Sequence, residues 1–148
     1  MRHFLEITDL TIDELDEVLD LAEAPIESLG RPLEGGGVAL VFEKPSNRTR
    51  QSTEMAVGQL GGHPIYTRGE EDGVDVRESV EDIARIMSGY HAMLAARVFD
   101  HGVVSRLAAS ASARCCRCTS RSAPTRARSS MRSIKRRSAL VVKTTPPP

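Results

Sequence analysis

Val38-Ala39-Leu40-Val41-Phe42-Glu43-Lys44-Pro45-Ser46-Asn47-Arg48-Thr49-Arg50 changes character part-way along. Its first five residues are a continuous apolar run that follows Gly35-Gly36-Gly37. Such a run, bounded by glycines, reads as a strand buried on both faces, as in a parallel sheet. The second half opens a helix that continues to Leu60. In open α/β sheets ligands bind beyond the carboxyl ends of the strands, which is where this segment falls. A helix N-terminus there presents unpaired N–H groups and a positive dipole end, which suits a phosphate. Ser46 and Thr49 add hydroxyls, and Arg48 and Arg50 add planar forks that grip phosphate oxygens. The stretch is a dense anion site without the Gly-rich spacing of a nucleotide P-loop. The plainer reading is a solvated helix start whose charges serve solubility.

On either side the chain alternates helix and strand. Upstream, Thr11 and Glu14 have the spacing of a capping box, and Leu15, Val18, Leu19 and Ala22 recur at helical period. Downstream, Thr49 to Leu60 reads as a helix stopped by Gly61-Gly62, and Pro64-Ile65-Tyr66 as a second strand. Ser79 caps a helix to Tyr90, Ala92 to Phe99 is a third strand, and Val103 to Ala111 a further helix. This pattern predicts an α/β domain, a parallel sheet flanked by helices.

The formal net charge of zero conceals two regions. All 20 acidic residues lie at or before Asp100; residues 1–112 carry −10 and residues 113–148 carry +10. Arg114 to Arg137 is mostly Arg, Ser, Cys, Ala and Thr, without an apolar stripe of helical or strand period. The expected organisation is therefore a domain over residues 1–112 and a disordered basic tail over residues 113–148. Cys115, Cys116 and Cys118 all sit in that tail. They contain a single C-x-x-C spacing, which argues against a structural zinc site with its four ligands. The arginines could neutralise nucleic-acid phosphates nonspecifically, but no aromatic residue accompanies them for stacking. His63 and His101 read as surface or structural, and Glu70-Glu71-Asp72 as a solvated loop. With no apolar run of about 18 residues and no apolar leader after Met1, the expected location is cytoplasmic.

Phe42-Glu43-Lys44-Pro45-Ser46-Asn47-Arg48-Thr49-Arg50 resembles the Phe-x-Lys-x-Ser-Thr-Arg-Thr-Arg phosphate loop of the aspartate/ornithine carbamoyltransferase family, with Lys44 leaning toward the ornithine branch. Gln51 to His63 is similar to the family's phosphate-loop helix and its Leu-Gly-Gly stop. Glu78-Ser79 to Tyr90 resembles its Glu-Ser-x-x-Asp-x-x-Arg-x-x-Ser-x-Tyr helix, and Ala95-Ala96-Arg97-Val98-Phe99 a strand whose arginine reaches carbamoyl phosphate. The resemblance runs from about residue 2 to residue 112. It implies the family's carbamoyl-phosphate-binding domain, in incomplete form. It also implies transfer of a carbamoyl group to the amine of ornithine, giving citrulline and phosphate in amino-acid biosynthesis leading to arginine. Ser46, Asn47, Arg48, Thr49, Arg50 and Arg97 would bind carbamoyl phosphate, with Arg97 also contacting the carbamoyl oxygen as the catalytic residue. Asn47 and Val98 depart from the usual Thr, and Val98 removes a hydroxyl ligand. No cofactor or metal is implied; a homotrimer is.

The family continues with a His-Pro-x-Gln motif and an ornithine-binding domain, neither of which follows Ser112 here. Read one base out of phase, codons for Thr119 to Arg126 permit Leu-Ser-Glu-Arg-Ser-His-Pro, close to the family's Leu-Ser-Asp-x-x-His-Pro. A frame shift near residue 113 would account for the charge break and the lost periodicity together. Three readings follow: a carbamoyltransferase holding only its carbamoyl-phosphate half, an inactive frameshift remnant of one, and an α/β module with a nucleic-acid-binding tail.

Overall fold

The computed structural model describes residues 3–68 and 78–118. Four helices and four strands are used below: α1 (Ile12–Glu23), β1 (Gly37–Phe42), α2 (Asn47–Gln59), β2 (His63–Arg68), α3 (Val80–Tyr90), β3 (Met93–Arg97), α4 (His101–Ser110) and β4 (Arg114–Arg117). The strands form one sheet in the order β2-β1-β3-β4, and every pairing is parallel. The expected α/β architecture is observed.

Alternation along the strands splits the core into two layers. Val38, Leu40, Phe42, Met93 and Ala95 face one side, where α2 contributes Val57 and the residue after it, Leu60, also packs. Ala39, Val41 and Leu94 face the other, against Val80 and Ala84 of α3 and Leu107 and Ala108 of α4. Residues buried on both faces explain why β1 reads as a continuous apolar run.

Local chemistry sets the helix ends. The Thr11 hydroxyl accepts the Glu14 N–H at 3.3 Å while the Glu14 carboxylate accepts the Thr11 N–H at 2.9 Å. Ser79 accepts the Asp82 N–H at 3.1 Å. α2 stops in paired bonds, Gly61 N–H to Gly58 O at 3.1 Å and Gly62 N–H to Val57 O at 2.9 Å. Gly61 takes φ 87°, open to glycine without a Cβ penalty.

One expectation is corrected. The domain does not end at Ser112, because Arg114–Arg117 forms β4, in register with Met93 to Ala96. Ala113 and Cys115 are buried in one core layer and Cys118 in the other. Cysteine and alanine act here as small hydrophobes, a role concealed by the arginines around them. Parallel pairing is made by backbone groups, which every non-proline residue supplies. Phe4 covers the outer edge of β4: its N–H donates to Cys115 O at 2.9 Å, and its carbonyl accepts from the Arg117 N–H at 3.0 Å. The expectation for residues 119–148 lies outside the described residues, as does Glu70-Glu71-Asp72.

Candidate functional site

The strand order makes a crevice. From β1 the chain crosses to β2 on one side, and then returns past β1 to β3 on the other. The segments leaving β1 and β3 therefore diverge, α2 to one face and α4 to the opposite one. Ligands bind at such a switch point, beyond the carboxyl ends of the strands. Ser46 to Arg50 follows β1, and Arg97 ends β3, so both lie at this crevice.

The start of α2 differs from the other helix starts. α1, α3 and α4 are capped by the side chains of Thr11, Ser79 and Asp100. α2 has no side-chain cap and no acidic residue in its first turn. Instead the Ser46 hydroxyl donates to Thr49 Oγ1 at 3.0 Å, which brings those two hydroxyls together. Thr49 is buried, and its carbonyl accepts from Thr53 Oγ1 at 2.8 Å and Ser52 Oγ at 3.1 Å. Asn47 is exposed, and its Oδ1 accepts from Gln51 Nε2 at 3.4 Å, a long bond. Arg48 is exposed, with no ion pair among the described residues.

Arg50 is held elsewhere. Its Nε donates to Glu54 Oε1 at 2.9 Å, and its guanidinium carbon lies 4.1 Å from the centroid of Tyr66 on β2. The Glu54 hydrogen bond is the main reason its pKa is raised. Of the five candidate loop residues it is the one already engaged by a carboxylate. Glu54, four residues along the helix, was a legible partner; Tyr66 was not.

Arg97 is only 7% exposed. Its Nε donates to Lys44 O at 3.2 Å and its Nη1 to Cys118 O at 3.4 Å. Among the described residues no carboxylate pairs with it. A buried guanidinium satisfied only by carbonyls retains its full charge, and an anion is the natural complement. Its main chain is tied to the loop as well, because its carbonyl accepts from the Glu43 N–H at 3.0 Å and the Lys44 N–H at 3.3 Å.

The remaining candidates separate from this site. His63 is exposed at the start of β2. His101 Nδ1 lies 2.9 Å from Arg117 Nη1, and its Nε2 3.4 Å from Glu6 Oε1. Since a guanidinium only donates, Nδ1 accepts and the ring proton sits on Nε2, a structural bridge. Cys115 and Cys118 belong to opposite core layers, so the C-x-x-C thiols point apart. Among the described residues no helix is long and apolar enough to cross a membrane.

Residues 2–136 match the family model described as aspartate/ornithine carbamoyltransferase, carbamoyl-P binding domain. The chain belongs to the aspartate/ornithine carbamoyltransferase family. It is similar to an ornithine carbamoyltransferase of Parafrankia sp. (strain EAN1pec), 44% identical over 116 residues, which covers 74% of this chain and 37% of that relative. Among solved structures, the ornithine carbamoyltransferase from Pyrococcus furiosus aligns with TM-score 0.72 and 34% identity, over 78% of this chain and 39% of that one. An N-acetyl-L-ornithine transcarbamylase variant complexed with carbamyl phosphate and N-succinyl-L-norvaline aligns with TM-score 0.71 and 28% identity, over 79% of this chain and 42% of that one. The carbamoyltransferase relatives are thus more than twice as long as the part this chain spans.

Proposed function

We propose that this chain binds carbamoyl phosphate at the β1/β3 crevice. Ser46, Asn47, Arg48 and Thr49 hold the phosphate at the open end of α2, with Arg50 reaching it by its Nη edge at most. Arg97 contacts the phosphate and the carbamoyl oxygen. The observation that carries this reading is the pairing of an uncapped, acid-free helix start with a buried guanidinium that has no carboxylate partner among the described residues.

In the whole protein this half presents carbamoyl phosphate to ornithine. The amine nitrogen attacks the carbamoyl carbon, the carbon–oxygen bond to phosphate breaks, and citrulline and phosphate result. Donors fixed around the phosphate stabilise the charge it gains on leaving, and positioning supplies most of the remainder. No covalent enzyme nucleophile takes part. The ornithine-binding half, the trimeric assembly and a cytoplasmic location belong to that whole protein.

The chain alone should form no citrulline from carbamoyl phosphate and ornithine, while phosphate should still bind by titration calorimetry. Turnover on the order of 10 per second, ordinary for an enzyme, would show that the second half is dispensable. The charge break at residue 113 favours a second reading, an inactive frameshift remnant. Sequencing the coding DNA decides it: a His-Pro-x-Gln motif in another frame supports the remnant, and stop codons in both other frames exclude it.

A further inference from the structure

The floor of the crevice is a clasp between two residues that leave β1 and two that end or follow β3. The Arg97 carbonyl takes the N–H groups of Glu43 and Lys44, and the Arg97 side chain returns to the Lys44 carbonyl at 3.2 Å. The Phe99 N–H donates to Glu43 Oε2 at 2.8 Å, and Lys44 Nζ lies 5.7 Å from the centre of the Phe99 ring. The first three of these contacts are made by backbone groups and Arg97 alone. The Glu43 carboxylate is the side chain that extends the clasp by a hydrogen bond beyond the end of β3, where the ladder has stopped.

Its charge is the informative part. Glu43 stands three residues before Ser46, at the mouth of a site proposed to hold a phosphate. A carboxylate there opposes an anion through space, more so where water is partly excluded. Judged on charge alone, the residue harms binding. Its bond to the Phe99 amide offers what offsets that cost: it ties the segment after Arg97 to the residues leaving β1, where the Lys44 carbonyl also accepts from the Arg97 side chain.

We propose that Glu43 is a positioning residue that sets Arg97 for the anion without touching it. This rests on the phosphate reading given above. Charge and position predict opposite signs for one substitution, which makes the proposal testable on the full chain with inorganic phosphate by titration calorimetry. Glu43→Ala should weaken phosphate binding by roughly tenfold, the equivalent of one charge-assisted hydrogen bond of about 1.4 kcal/mol. Glu43→Gln keeps an acceptor for the Phe99 N–H and loses the charge, so it should bind as tightly as the parent or more tightly. In an Arg97→Ala background, Glu43→Ala should cause no further loss and should relieve only the carboxylate's repulsion, because its positioning role acts through Arg97. Tighter binding by Glu43→Ala, or an equal loss with and without Arg97, overturns the proposal.

Two further measurements separate failures. Should Glu43→Ala not fold, Phe99→Pro deletes the donor and leaves the carboxylate; it should weaken phosphate at least as much, and parent-like binding counts against the clasp. If the parent binds no phosphate, the functional reading fails by itself. Exchange of the Arg97 Nε–H by NMR then tests the clasp alone: faster in Glu43→Ala and unchanged in Glu43→Gln supports it, and equal rates in all three overturn it.

Discussion

β1 and β4 run in the same direction in one sheet, and different things hold them there. β1 carries five consecutive buried apolar residues, Val38 to Phe42, and every one packs in a core layer. β4 is Arg-Cys-Cys-Arg, seated by backbone pairing to β3 on one side and to Phe4 on the other. Beyond β1 the chain supplies hydroxyls, guanidiniums and an open helix start. Beyond β4 the described chain supplies Arg97 with one carbonyl, that of Cys118. Backbone pairing tolerates almost any residue that is small enough for its layer, whereas an anion site needs particular side chains. A strand can therefore form where chemistry cannot be read.

The comparison breaks first on truncation. If β4 belongs to the fold, ending the chain at Ser112 strips a pairing edge from β3 and removes Ala113, Cys115 and Cys118 from the core. The expected loss is on the order of 5 kcal/mol, near the whole stability of a marginal domain. Thermal melting followed by circular dichroism should lose its cooperative transition. In the full chain the Arg117 and Cys118 amides, which donate to Phe4 O at 3.0 Å and Ala96 O at 2.7 Å, should exchange slowly. An unchanged melt after truncation would return residues 113–118 to the status of an appendage.

The next test sharpens the β1 side. Arg48→Ala should weaken phosphate binding by roughly 1.5–3 kcal/mol, the range for hydrogen bonds to charged groups. The control has to be an arginine off this edge. Arg68 does not serve, because it is the last residue of β2, in register with Phe42. Arg85 does, since it lies mid-way along α3 and pairs with Asp82 at 2.6 Å. Equal losses from Arg48→Ala and Arg85→Ala would mean that diffuse positive charge attracts phosphate and that the loop is no site.

How much of this was legible follows from the range of each interaction. The α1 and α3 caps, the Gly61 stop and β1 rest on residues within a few positions of one another, and all were readable. The position of the loop between β1 and α2 was readable too, because its residues are consecutive. Arg97 was found through a resemblance, and nothing local announced its burial. The Glu43–Phe99 bond joins residues 56 apart, and the Arg97–Cys118 contact joins residues 21 apart. Those depend on which strands become neighbours, which patterning does not specify. β4 was missed for a further reason: the buried residues in it and flanking it are Cys115, Ala113 and Cys118, and charge counts weigh the arginines beside them.

The smallest expected effect concerns what the β4 thiols do. If β4 is seated as plain hydrophobic surface, its buried cysteine should behave as one. Burial pushes the Cys115 thiol up to about 12 from an ordinary value of 9.0. In the unfolded chain the thiol ionises near its ordinary value, while the folded chain keeps its proton. The folded state then binds more protons than the unfolded state between those two values, so stability falls as pH rises through that window and is unaffected below it. One proton limits the slope to about 1.4 kcal/mol per pH unit, and by a pH about half a unit above the ordinary thiol value the loss should be under about 1 kcal/mol. The quantity to measure is a difference, which cancels every contribution the two chains share. Urea midpoints of the parent under reducing conditions should fall faster between pH 8 and 10 than those of Cys115→Ala, which has no thiol to expose. Parallel slopes would mean that Cys115 is already open to water in the folded chain, and that β4 is attached to the sheet without being part of its core.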